Sequence, residues 1–176
     1  MLLLPLIVLS PGVQISEFVN LKASYVITTT DDFVIDAYLN GKKISDDKRT
    51  LLWEKFGATS EKFSIQVHRG DWLVFHVVNN RMRWGGSAYF GVAGCFAENE
   101  FGFKSGCNSS WSYCSEPKDS ERFISKRSCG TSKVAHRPEH VWDGGESMMK
   151  SCAGNQWNGE AIWGDSNSVW IKYTAD

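Results

Sequence analysis

The chain lacks the signatures of most common chemistries. It has no basic surplus: 19 Lys and Arg against 20 Asp and Glu leave a net charge of −1. That excludes recognition of nucleic acid driven by phosphate neutralisation. The short clusters at 81–83 (Arg-Met-Arg) and 125–127 (Ser-Lys-Arg) do not change this. It has no Cys-x-x-Cys pair, so a zinc ribbon has no support. No P-loop, dinucleotide-binding glycine motif or nucleophile elbow occurs. The apolar run near the N-terminus, eight residues from Leu2 to Leu9, is too short to span a bilayer. There is no internal repeat, no low-complexity tract and no convincing 3.6-residue period; only 46–56 ("DDKRTLLWEKF") suggests two helical turns.

What is present is aromatic and unevenly distributed. Eight Trp, ten Phe and five Tyr occur in 176 residues, a length that suits one domain. A buried indole needs a partner for its N–H, so some of the Trp are expected at a surface or groove. The N-terminal "MLLLPLIVLSPGVQ" fits the apolar region of a secretory signal, with Ser10 and Gly12 as small cleavage-site residues, although no basic residue precedes it. The alternative is a first strand. On the signal reading, residues 1–12 are removed and 13–176 form one domain.

All five cysteines (Cys95, Cys107, Cys114, Cys129 and Cys152) follow residue 94. With a secretory signal they read as disulfides, with one of the five left over. Cys107 and Cys114 are the expected local pair, a short loop whose closure contributes about 2.5 kcal/mol. The sequon Asn108-Ser109-Ser110 lies inside that loop and marks Asn108 for glycosylation.

Residues 23–93 predict strands. "ASYVITTT" and "FVIDAYL" are β-branched and aromatic, and the second ends in the turn pair Asn40-Gly41. In "FSIQVHRGDWLVFHVV", Phe63, Ile65 and Val67 alternate, Arg69-Gly70-Asp71 turns, and Leu73, Phe75 and Val77 return, which predicts a hairpin. "SAYFGVAG" and the final "AIWGDSNSVWIKYTA" also read as strands. Between about 95 and 160, Gly, Ser, Asn, Cys and Trp dominate. That insertion can hardly bury a core unaided, so staples or packing on the first half must hold it. The expected fold is an all-β antiparallel sandwich, jelly-roll-like, with this cysteine-bearing, loop-rich insertion.

The stretch from "TTDDFVIDAYLNGKKI" through Trp53 to "FSIQVHRGDWLVFHVVN" resembles the galactose-binding-domain-like jelly rolls, over about residues 25–94. Those domains serve as carbohydrate-binding modules and as appended domains of glycosidases and adhesins. The resemblance implies sugar binding, with Ca²⁺ and sugar hydroxyls held at Asp31 and Asp32. Chemistry allows it, since adjacent carboxylates repel unless a cation or N–H donors lie between them. The other reading is a turn in which Asp31 and Asp32 bond their own backbone. Independently, Trp84, Trp111, Trp142, Trp157, Trp163 and Trp170 lie in or beside Gly/Ser/Asn-rich segments. An indole face matches the apolar face of a sugar, while Asn, Asp and Arg match its hydroxyls. Trp84 and Trp142, each closely followed by Gly-Gly, are the first candidates, with Trp111 and Trp157 next; each could equally fill a core that is poor in aliphatics.

Other motifs carry less. His136 and His140 stand four apart, but Pro138 breaks the helix a zinc pair would need. His68 and His76 read as ordinary strand residues. The Gly164-Asp165-Ser166 run resembles the nucleophile segment of one class of serine esterases, but only ten residues follow Ser166 and none is His. A turn over Gly164–Asn167 fits better. The expectation is a secreted, disulfide-bonded module that binds extracellular glycan or glycoprotein and is not an enzyme. The alternative is a self-assembling filament, coat or matrix protein using aromatic and cysteine contacts.

Overall fold

A computed structural model describes residues 24–55, 57–79, 88–95, 101–125, 129, 133–134, 149–150 and 159–174. Among them eleven strands form two antiparallel sheets. The first sheet has the order β4 (Arg49–Lys55), β5 (Ala58–Phe63), β1 (Tyr25–Asp31), β7 (Tyr89–Cys95) and β8 (Phe101–Lys104). The second runs β10 (Lys133–Val134), β9 (Trp111–Cys114), β11 (Ser168–Thr174), β6 (Trp72–Val78), β2 (Phe33–Leu39) and β3 (Lys42–Lys43). The protein is therefore an all-β sandwich, and helix among the described residues is limited to one short α1 (Ser120–Ile124), two 3₁₀ turns and the helical residues 149–150.

Alternation places the core between the sheets. Val26, Phe63, Phe90 and Val92 face inward from the first sheet, and Leu73, Phe75, Val77, Val169 and Ile171 from the second. Phe75 meets Phe63 edge-on at 5.7 Å and Phe90 tilted at 5.2 Å, so one ring of the second sheet contacts two of the first. Such pairs contribute about 1 kcal/mol each beyond the area they bury.

The turn expected at Asn40-Gly41 is present. Both residues have positive φ (52° and 79°), as a two-residue type I′ turn requires, and Leu39 pairs with Lys42 across it. Asn40 also anchors the hairpin: its side chain accepts from Trp72 N (3.1 Å) and donates to Asp71 (2.7 Å).

Three expectations are corrected. First, Phe63 and Leu73 do not belong to one hairpin. β5 pairs with β1 and β4, whereas β6 pairs with β2 and β11, and residues 64–71 carry the chain between sheets. Ile65 and Val67 are buried as the alternation implies, since a crossing segment and a strand both need an apolar inner face. Second, the segment expected to be helical at 46–56 holds, over its described residues 46–55, only a 3₁₀ turn at Asp46–Lys48, because Arg49–Lys55 pairs with β5, with one irregularity between Leu51 and Trp53. Third, the disulfide is Cys114–Cys129, with Cα atoms 5.9 Å apart, and not Cys107–Cys114. Cys107 sits in an exposed turn, and the extended β9 carries Cys114 away onto the outer face of the second sheet. Cys95 is also disulfide-bonded, and Cys152 lies outside the described residues.

Part of the 95–160 segment proves to be sandwich: β8 extends the first sheet, and β9 and β10 extend the second. Its anchors are aromatic. Trp111 is fully buried, donates its indole N–H to Lys104 O (3.0 Å) and packs on Tyr173 at 4.9 Å. Outside the sandwich, α1 covers the second sheet, where Trp72 Nε1 donates to Ile124 O (2.9 Å) and the Lys172 ammonium lies 3.9 Å from the Phe123 ring centre.

Arg49, on the edge of the first sheet, reaches the second. It donates to Val34 O (2.7 Å) and Ile35 O (3.0 Å), and pairs with the Glu61 carboxylate at 2.7 Å. Removing it by Arg49→Ala leaves Glu61 buried without its cation, and unfolding in denaturant should show a loss of about 3 kcal/mol. A loss below about 1 kcal/mol would make the contact peripheral. A non-reducing peptide map should join Cys114 to Cys129, and Cys114→Ser should cost about 3 kcal/mol for the closed loop. Recovery of a Cys107–Cys114 peptide would reverse the assignment.

Candidate functional site

Strand register gathers several of the polar residues at one end of the sandwich. Asp31 ends β1 opposite Ala58 and Tyr89, while Phe33 opens β2 opposite Val78, itself opposite Ser168. Asp31 and Asp32 thus form the corner at which the chain leaves the first sheet and enters the second. Both are buried, with Asp32 N donating to Val78 O (2.7 Å) and Thr59 Oγ1 donating to Asp32 O (2.8 Å). Among the described residues no group of three or more His, Cys, Asp and Glu could hold a metal ion.

The segment 163–167 lies at the same end. Ile162 bonds Phe90 in both directions, and Asn79 N donates to Asn167 O (2.8 Å). Between these ties, Trp163, Gly164, Asp165, Ser166 and Asn167 line a polar cleft of about 340 Å³. Trp163 fixes the loop to the core: it is buried, and its Nε1 donates to Ser166 O (2.8 Å). Gly164 is required by close approach, since a Cβ there would lie 2.6 Å from the Tyr113 ring and 2.8 Å from Val169. The exposed Asp165 carboxylate is held at both oxygens, by Tyr113 OH (3.1 Å) and by Ser115 OH (2.5 Å). Fixing a carboxylate from a second strand removes the rotamer entropy it would otherwise lose on binding a ligand. Buried Asn79, beside this loop, has an Nδ2 with no hydrogen-bond partner among the described residues.

The nominated tryptophans divide. Trp111 is a core residue, so its proposed role as a ligand platform is corrected: the indole face is covered by the sandwich. Trp163 and Trp170 are buried as well. Trp84, Trp142 and Trp157 lie outside the described residues. Asn108 is exposed, its Oδ1 accepting from Ser110 N (3.0 Å), in a turn that leaves the sequon open to solvent. His136 and His140 lie outside the described residues.

On the outer face of the second sheet, Trp170 stacks on His76 with ring centres 4.1 Å apart, and His76 Nε2 is 2.8 Å from Ser168 Oγ. Asp36 stands opposite His76 in register but is bonded to Lys43 and Tyr38. Ser168 lies at the start of β11, and its own N–H donates to Ser166 Oγ at 3.4 Å. The Ser168–His76 contact is a sheet-face hydrogen bond, in keeping with the strand role expected of His76.

Residues 164–167 were readable as a turn. Tyr113 and Ser115, which orient Asp165, stand about fifty residues earlier and carry no local signal. No protein-family model matches the chain, and no match was found among the curated proteins or the solved structures.

Burial lowers the pKa of His76 below its ordinary 6.5, against a smaller opposing effect of Asp36. The folded protein therefore takes up this proton less readily than the unfolded chain. The contribution is complete above the unfolded value and is lost as pH falls below it towards the folded one. Between about pH 7.5 and pH 5, the parent should lose more stability than His76→Gln. Superimposable profiles for the two proteins would show that His76 is not linked to folding.

Proposed function

We propose that the protein is a secreted, non-catalytic, lectin-like module whose jelly-roll-like sandwich presents the Asp165 cleft to a polyhydroxylated ligand, an extracellular glycan. The observation that carries this reading is the pre-oriented carboxylate. Sugar hydroxyls donate to carboxylates in pairs, and Asp165 is exposed, held by Tyr113 and Ser115, and flanked by Ser166 and Asn167. The Cys114–Cys129 disulfide supports an oxidising compartment. The resemblance to galactose-binding-like domains points to the same ligand class. In this reading Asp31 and Asp32 serve as the inter-sheet corner rather than as calcium ligands.

A second reading, self-assembly into an extracellular coat or filament, is favoured by one observation. Phe33 (46% exposed), Ile35 (37%), Leu51 (55%) and Leu52 (39%) flank the Arg49 contact at neighbouring sheet edges. A second copy of the chain would cover them.

Glycan-array binding followed by calorimetry tests the first reading. Asp165→Asn should weaken binding at least tenfold, about 1.4 kcal/mol, and EDTA should leave both affinity and melting temperature unchanged. Equal binding by Asp165→Asn, or no glycan binding at all, would overturn the cleft assignment. A large EDTA effect would return calcium to Asp31 and Asp32. For the second reading, sedimentation should show oligomer in the parent and monomer in Ile35→Lys/Leu51→Lys; a monomeric parent rules it out.

A further inference from the structure

At the opposite end of the sandwich the chain curls back on itself after the Asn40-Gly41 turn. Lys42 and Lys43 form β3, Ile44 turns inward with its N–H on Ala37 O (2.8 Å), and the 3₁₀ turn closes with Lys48 N on Ser45 O (3.0 Å). Ser64 N donates to Lys48 O (2.9 Å), which brings Ile65 beneath the curl. The result is a cleft of about 250 Å³ with an aliphatic lining from Leu39, Ile44 and Ile65 and three exposed lysines, Lys42, Lys43 and Lys48.

The charges cancel only in part among the lining residues. Asp36 pairs with Lys43 at 2.5 Å, and Asp46, 3.9 Å from Arg49, also attracts Lys43, so Lys43 is compensated. Neither Asp46 nor Asp47 lines the cleft, so Lys42 and Lys48 remain as its surplus of positive charge. An aliphatic lining with a cationic rim complements an anionic head group on an apolar body. The volume is below the ~300–1,000 Å³ of sites for drug-sized ligands, so the body must be short.

We infer that this cleft binds a small organic anion: a carboxylate or phosphate head group contacted by Lys42 and Lys48, on a short aliphatic body lying over Leu39, Ile44 and Ile65. The site is independent of the Asp165 cleft and does not need the glycan reading to hold. Because the lysines are solvent-exposed, binding must weaken as salt screens them.

The test is titration of the full chain with hexanoate and hexyl phosphate, followed by amide NMR shifts. Acetate and inorganic phosphate supply the head alone, and 1-hexanol the body alone. Saturable shifts are expected at 39–48 and 65 with hexanoate or hexyl phosphate, at least tenfold tighter than with acetate, phosphate or hexanol. Which of the two six-carbon ligands binds tighter identifies the head group. Lys42→Gln/Lys48→Gln, at exposed positions, should weaken the six-carbon anion at least fivefold, and Asp165→Asn should leave it unchanged. Equal affinity for acetate and hexanoate, unchanged binding in the lysine variant, or parent binding insensitive to raising salt from about 0.1 M to about 0.5 M would each overturn the proposal.

Discussion

One guanidinium holds the two sheets together at their open side. Arg49 sits on β4, the edge of the first sheet, and bonds two successive carbonyls of β2 in the second. Successive carbonyls of a regular strand point to opposite sides. Here Ile35 is the extra residue of a bulge, where the register shifts between Val34 and Asp36, and that irregularity lets Val34 O and Ile35 O reach one cation. Nε and Nη2 meet Glu61 on β5 at 3.0 and 2.7 Å, and the guanidinium carbon lies 5.4 Å from the centre of the Phe63 ring. The bulge, the buried acid and the inner aromatic layer therefore share a partner. A lysine could not replace it, because the contacts require several N–H donors in one plane.

Apolar side chains lie at the surface beside that clamp. On β2, Phe33 and Ile35 face outward on either side of buried Val34, and a second irregularity, between Leu51 and Trp53, exposes Leu51 and Leu52 on β4. Bulged edges resist uncontrolled strand pairing, since their free backbone groups no longer form an even row. What remains exposed is side-chain surface, and so an association at this side would rest on apolar contact rather than on an added strand.

The two ends of the sandwich differ in the side chains that line their clefts. One carries the Asp31–Asp32 corner and the cleft with Asp165 and Asn167; the other carries the lysine-rimmed curl over Ile44 and Ile65. Both follow from one fact of antiparallel architecture: the strands need apolar inner faces, so polar and charged groups accumulate where the chain turns.

Local chemistry was legible wherever it decided structure locally. The β-branched runs at 25–31 and 33–39, the Asn40-Gly41 turn and the returning strand at 168–174 follow from propensity, alternation and positive φ, each set within a few residues. The sequence likewise implied that 95–160 must lean on the rest of the chain. Tertiary structure decided what depends on distant partners. Phe63 and Leu73 alternate as a hairpin would, but inner faces look the same in one sheet or in two, so pairing alone separated them. Cys114 was nearest to Cys107 in sequence, yet an extended strand carried it to Cys129. Trp111 offered the same indole to a sugar or to a core, and the ring of Tyr173 with the carbonyl of Lys104 settled it for the core. Asp165 became an oriented carboxylate only when β9 placed Tyr113 and Ser115 beside it, because hydrogen bonds across fifty residues leave no trace in local pattern.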